Sequence, residues 1–300
     1  MIHRMQTSYF RYMVEIDRTR SITQAAANLF LTQPSLSRIL HELEGQLGYP
    51  IFERSNRGVR PTPDGVVFLR HARRILNELE EIESLGGGKR PPERFHVCMP
   101  RSAGILEMTA EYLNRLSDCH SLDAVLRECH VRQAFDYIES GEIDLGIIRF
   151  RAEYLDYFED LAAANHLGFE ALNRYRYRVI LRRDNPLATR ETLKVSDLAG
   201  LTEITHGDTF RMRGNPNEAP RRCVYSVDRH AQLRLMQRIP NAFMWSTSML
   251  PGELEALGLV QLDAADNRVE YRNALVSIAP EMLNDIERGF LAFVRERCSG

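Results

Sequence analysis

The stretch LTQPSLSRIL, Leu31 to Leu40, closes one helical pattern and opens another with almost no loop between them. Thr32 offers a hydroxyl to cap the new helix. Pro34 stands in its first turn, where backbone N–H groups have no intrahelical acceptor and a proline costs little. At about 100° per residue, Leu36, Ile39, Leu40, Leu43 and Leu47 share one narrow stripe that must face a core. Gln33, Pro34, Ser35, Ser37, Arg38 and His41 are left on the outside. The small Ala25 and Ala26 let the preceding short helix approach closely. A small, polar, cationic face at a helix N-terminus suits a DNA major groove. The N–H groups and the dipole favour phosphate, Ser and Gln reach base edges, and Arg takes either. A polar two-helix corner is also a common structural motif, so the surroundings must decide.

Working outward, a first helix is expected over Ser8–Asp17, burying Phe10, Met13, Val14 and Ile16, and Ser21 caps a short second one. Ile51 to Pro61 reads as a hairpin carrying Arg54, Arg57 and Arg60, placed as a wing would be. Thr62-Pro63-Asp64 then starts a long helix to Leu85. Its Leu69, Ala72, Ile75, Leu76, Leu79 and Ile82 form an apolar stripe that a single exposed helix would not carry, which predicts two-fold pairing and a palindromic DNA site. Residues 1–74 hold eleven Arg against six Asp plus Glu, a balance of +5, so the rest of this −2 chain carries −7. A basic first quarter on an acidic body puts the polyanion-binding surface at one end.

GGGKRPPE, Gly86–Glu93, combines released backbone, helix-breaking prolines and charge, and reads as a hinge. Beyond it, RFHVCM, DLGIIRF, RYRVILRR, LTEIT, AFMWS and LVSIAP read as strands. ILEMTAEYLNRL and RQAFDYIESG read as helices, an alternation that predicts an α/β body with largely parallel sheets. No apolar run approaches the roughly 20 residues needed to span a bilayer, and the first residues lack a secretory signal pattern. Five scattered cysteines argue against a disulfide framework and fit a reducing compartment, so a cytoplasmic location is expected.

An enzyme would need chemistry that the motifs do not supply. There is no Walker-type loop, no Gly-x-Ser-x-Gly and no His-Glu-x-x-His, and the GGG tract runs into prolines rather than Lys-Ser/Thr. The pairs Cys119-His120 and Cys129-His130 match no compact Cys/His finger, so no metal and no cofactor is expected.

Ser21 to Gly65 resembles the signature of LysR-type transcriptional regulators. The matching residues are Ser21, Ala25, Ala26, Leu29, Thr32-Gln33-Pro34, Ser37, Leu43-Glu44, Leu47-Gly48, Phe52, Arg54 and Gly65. Arg20 stands where that family usually has Gly, and Met13 where Phe is usual. GEIDLGII, DNPLA and MLPGELEALGLVQL extend the resemblance more weakly along the chain. It implies a winged helix-turn-helix over 1–62, a dimerising linker helix over 63–85, the hinge at 86–93 and an effector domain over 94–300. That domain would be two-lobed and periplasmic-binding-protein-like, lobe I being about 94–168 with 271–300 and lobe II about 169–270. The crossing strands are expected near Leu167–Leu172 and Val269–Leu275. Implied partners are double-stranded DNA, a small-molecule effector and further copies of the chain, as a homodimer through the linker helix and, by family habit, a tetramer. DNA contacts are expected from Thr32, Gln33, Pro34, Ser35, Ser37, Arg38, His41, Arg54 and Arg57.

In such folds ligands sit between lobes, at strand ends and helix N-termini. Arg101 and Ser102 lie between a strand and a helix, and by family position Ser102, His130 and Thr202 line the cleft, with Thr205, His206 and Trp245 close by. Arg149 ends a strand and could supply a cation. Arg101 and Arg149 together motivate an anionic effector, against the alternative that both are solvated or paired with local acids.

Overall fold

The computed structural model describes residues 5–55, 58–85, 92–206 and 222–298. The first elements are α1 (Thr7–Thr19), α2 (Ile22–Asn28), α3 (Gln33–Leu47), the hairpin β1 (Phe52–Ser55) and β2 (Gly58–Pro61), and α4 (Pro63–Leu85). Each start has a local cause. Ser21 accepts from the Gln24 N–H at 3.2 Å and Thr32 from the Ser35 N–H at 3.3 Å, while Pro34 sits in the first turn of α3. Gly48, with φ +81°, ends α3 in the left-handed conformation that a glycine adopts without strain. Arg20 ends α1 in the same region, φ +53°, which accounts for the glycine usual at this position in the resembled family.

Met13, Ile16, Ala25, Ala26, Leu36, Leu40, Leu43 and Ile51 make one core with Phe68, Leu69 and Ala72 of α4. The α3 stripe thus faces inward as its periodicity requires. The stripe on α4 splits, because Leu69 and Ala72 are buried in this core whereas Ile75 and Ile82 are exposed. Only its later part is open to a partner. The expected hinge at 86–93 lies outside the described residues except for Pro92 and Glu93.

The body continues with β3 (Glu93–Met99), α5 (Ala103–Arg115), β4 (Leu122–Glu128), α6 (Val131–Ser140), β5 (Leu145–Arg151) and α7 (Leu155–Ala164). Then come β6 (Gly168–Arg176), β7 (Arg178–Arg182), β8 (Thr192–Leu193), β9 (Thr202–His206), β10 (Arg222–Ser226), α8 (Arg229–Arg238), β11 (Ala242–Ser246), α9 (Pro251–Ala256), β12 (Leu259–Ala264), β13 (Glu270–Ser277) and α10 (Asp285–Cys298). The sheet orders are β4-β3-β5-β13-β6 in lobe I and β10-β9-β11-β7-β12-β8 in lobe II. The chain crosses between lobes twice, at Tyr177 between β6 and β7 and over 265–269 between β12 and β13. Lobe I keeps β6 through Arg176, so the first crossing falls after the expected Leu167–Leu172, because β6 stays paired to β13 along its length.

The expectation of largely parallel sheets needs correction. β3–β5, β9–β10, β9–β11 and β8–β12 pair in parallel, but β5–β13, β6–β13, β7–β11 and β7–β12 pair antiparallel. Returning crossing strands run back through each sheet, and no local pattern announces their direction. RYRVILRR is likewise two elements, the end of β6 and then β7, parted at the crossing.

By compactness the described chain divides into residues 1–96 with 119–125 and 135–144, and residues 97–118, 126–134 and 145–300. In the first unit, Arg73 of α4 is paired with Asp17 of α1 at 2.5 Å. Within the second, Tyr112 of α5 packs on Phe290 and Phe293 of α10, ring centroids 5.2 and 5.5 Å away, and its hydroxyl donates to the Ile286 carbonyl at 2.6 Å. Lobe II buries Ile180, Ile204, Met236 and Met244 on one face of its sheet, and Val179, Leu181, Leu198 and Phe243 on the other, as the period of two along β7 and β11 demands.

Candidate DNA-reading helix and interlobe site

Most of the residues expected to contact DNA lie on the first half of α3 or at its cap. Thr32, Gln33, Pro34, Arg38 and His41 are exposed, whereas Ser35 and Ser37 are half-buried. Ser35 is partly committed to the cap, its hydroxyl lying 2.8 Å from that of Thr32. Behind this face Leu36 and Leu43 are fully buried, so the helix cannot roll without exposing its core side. The hairpin is held to it by Glu44, whose Oε1 accepts the N–H groups of Ile51 at 2.7 Å and Phe52 at 3.1 Å. Arg54 lies on β1 opposite Val59, Arg60 of β2 is exposed, and Arg57 falls outside the described residues.

In the larger unit the expected cleft residues do not all gather. Ser102 is buried at the N-cap of α5 without spending its hydroxyl on a cap bond, and its Oγ lies 3.5 Å from Thr247 Oγ1, just past β11. This pair joins one lobe to the other. Arg149 of β5 donates from Nη1 to the Arg101 carbonyl at 3.0 Å and from Nε to Asn273 Oδ1 at 3.3 Å. Its Nη2 is buried with no hydrogen-bond partner. The guanidinium carbon lies 5.5 Å from the ring centre of Tyr175 and 5.9 Å from that of Tyr177. Burial works against the Arg149 charge, yet Tyr177 and Tyr175 hold its pKa above the ordinary value. Tyr177 is itself stacked on Tyr271 at 4.1 Å.

The other expected residues occupy separate places. His130 is exposed at the start of α6, where its Nδ1 accepts from the Gln133 N–H at 3.4 Å. Thr202 is buried in β9 beside Ala242 of β11. Thr205 and His206 end β9 alongside Tyr225 and Ser226 of β10, and the His206 ring bonds the Val227 carbonyl. Trp245 packs on the buried lobe II face, edge-on to Phe243 at 6.3 Å. Cys129 lies against Cys98: the Cys98 thiol donates to Cys129 Sγ, which raises the Cys98 pKa and lowers that of Cys129.

Sequence reasoning missed Arg229, at the first residue of α8. Its Nη2 donates to Ser246 Oγ at 2.9 Å and contacts Met249 Sδ at 3.3 Å. Burial lowers its pKa first, and the nearby Arg149 lowers it further, against the opposing pull of Glu253, Tyr177 and Glu128. The available signal was Asp228, which caps α8 by accepting the Ala231 N–H at 2.7 Å and so marks a helix start.

Comparison with known proteins agrees with this architecture. Residues 8–66 match the family model for bacterial regulatory helix-turn-helix proteins of the lysR family. Over 197 residues, 65 % of the chain, it is 25 % identical to the uncharacterized HTH-type transcriptional regulator YvbU of Bacillus subtilis (strain 168), and the match spans 63 % of that relative's length. Two solved structures superpose over almost the whole chain at a TM-score of 0.66. One is full-length LysG from Corynebacterium glutamicum, at 14 % identity, covering 98 % of each chain, and the other is ArgP from Mycobacterium tuberculosis, at 15 % identity, covering 97 % of each. The helix-turn-helix segment is thus matched by sequence to the lysR family, and the chain as a whole shares the fold of these two solved structures.

Proposed function

We propose that this protein is a sequence-specific DNA-binding transcriptional regulator whose DNA binding or bending responds to a small anionic effector held between the two lobes. It is not an enzyme on this reading, requires no cofactor, and acts in the cytoplasm. The observation that carries it is the polar, cationic end of α3, with Gln33, Arg38 and His41 exposed over a buried Leu36–Leu40–Leu43 stripe. A homodimer through the open part of α4, around Ile75 and Ile82, would present two such ends to a palindromic site, and pairing of dimers would make a tetramer. The effector acts by binding one arrangement of the paired modules better than another.

The deciding measurement is fluorescence anisotropy with the DNA upstream of the protein's own coding sequence, over a range of salt. Affinity should fall steeply as salt rises, because phosphate contacts release counterions. Arg38→Ala should weaken specific binding by about 1–3 kcal/mol, the worth of one base-edge or phosphate-anchoring arginine. Binding indifferent to salt and to Arg38→Ala overturns the assignment of the reading helix.

A further inference from the structure

Arg149 and Arg229 come from different lobes, and both are drawn out of water. Their side-chain hydrogen bonds are to neutral acceptors, the Arg101 carbonyl and Asn273 for one and Ser246 for the other. No described carboxylate hydrogen-bonds either guanidinium; Glu253 and Glu128 act on Arg229 only through space. The two cations nonetheless lie close enough that Arg149 disfavours the charge on Arg229. Two half-buried like charges with no described carboxylate hydrogen-bonded to either oppose closure of the lobes around them, and Arg149 has no acid pulling on it even through space, so an anion entering between them is favoured.

The groups between them are contiguous. Arg149 is bonded to the carbonyl of Arg101, which precedes Ser102 at the N-terminus of the 13-residue helix α5. Ser102 meets Thr247, and the neighbouring Ser246 is bonded to Arg229. One end of this run therefore offers a helix N-terminus whose cap hydroxyl is not spent on the backbone, together with the unpartnered Nη2 of Arg149. The other end offers a second guanidinium, since the α8 N-terminus beside it is already satisfied by Asp228. Resting on the reading of this cleft as the effector site, we infer that the effector is a small dicarboxylate. One carboxylate sits at Arg149 and the α5 N-terminus, the other at Arg229, so that the ligand ties lobe I to lobe II. A single ligand charge at Arg149 would leave Arg229 with only the through-space pull of Glu253 and Glu128 and no hydrogen-bonded anion.

The test is calorimetry on the full chain at constant ionic strength. The probes are malonate, succinate, glutarate and phthalate, the half-amide of each, and inorganic phosphate. At least one diacid should bind more tightly than its own half-amide by on the order of 10- to 100-fold, the size of one charge-assisted hydrogen-bonded contact. Arg229→Gln should bring that ratio down to about 1 while leaving the half-amide affinity in place, because the lost contact is the one the half-amide lacks. Arg229→Lys, which keeps the charge, should restore part of the ratio and guards against a variant that fails to fold. Half-amides binding as well as diacids, phosphate binding in preference to every diacid, or no probe binding at millimolar concentration would each overturn the inference. Half-amides matching diacids would still leave an anionic effector standing, whereas loss of the cleft reading itself would show as the neutral diamides of these acids, titrated alongside, binding better than any anion.

Discussion

Glu15 shows how one carboxylate organises the DNA-reading module. It takes the Arg18 guanidinium within α1 at 2.6 and 2.8 Å and the Asn28 amide at 2.6 Å, which pins the end of α2 to α1. The Arg18 hydrogen bond holds its pKa below the ordinary 4.5, with Asn28 adding to the effect. The folded state therefore binds fewer protons here than the unfolded one, and the resulting stability is present above pH 4.5 and lost as pH falls below it. Glu15→Gln should flatten the acid limb of the thermal midpoint measured from about pH 5 to pH 3. A limb as steep in the variant as in the parent would mean that the pin contributes nothing. At Gly65, legible in sequence only as a family match, a Cβ would sit 1.9 Å from the Ile51 carbonyl oxygen. The reason for that glycine is a close approach between segments 14 residues apart in the chain, which no local pattern can state.

At the scale of elements, periodicity carried most of the first module. The stripe on α3 and the caps at Ser21 and Thr32 are local, and α3, Gln33–Leu47, starts at the Thr32 cap and ends at the last residue of the stripe. The α4 stripe was legible as apolar but not as divided, because burial of Leu69 and Ala72 depends on where α1 lies. The division makes a sharp expectation for assembly. Ile82, 61 % exposed, and Ile75 are the open positions, so Ile82→Arg should shift the protein toward smaller species by sedimentation equilibrium without lowering its thermal midpoint. A Leu69→Arg exchange should instead unfold the module, since a buried unpaired charge costs several kcal/mol, about 3–5 by analogy with broken buried pairs. An unchanged mass for Ile82→Arg would remove α4 as the pairing surface. In the body β3, β5, β7, β9, β11 and β13 were readable, while β4, β8 and β10 were not; nor were strand directions, because antiparallel return strands such as β13 have the same apolar character as parallel ones.

At the scale of the whole molecule, ligand binding and stability are linked by mass action. An effector bound by groups from both lobes should raise the unfolding free energy of the body by RT ln(1 + [L]/Kd), about 2.7 kcal/mol at a hundredfold excess over Kd. Followed by urea denaturation, this gain should vanish in Arg149→Gln and persist in Arg38→Ala, whose exposed side chain lies on the DNA-reading helix. A gain unaffected by Arg149→Gln would place the effector elsewhere.

By itself the sequence determined α3, its Thr32 cap, the Ser21 cap of α2 and the β1–β2 hairpin, because each rests on interactions between residues a few positions apart. It also singled out Arg101 and Arg149 as cations near strand ends that suit an anion, and Ser102 by family position. Only the tertiary structure decided which cations matter. It tied Arg101 to Arg149 through a backbone carbonyl, left Arg149 Nη2 buried without a partner, and brought Arg229 within electrostatic reach from the other lobe. The physical reason is that desolvation and charge pairing depend on what surrounds a group in space. Residues 149 and 229 are 80 positions apart, and only the fold sets them at the two ends of the run from Arg101 and Ser102 to Thr247 and Ser246.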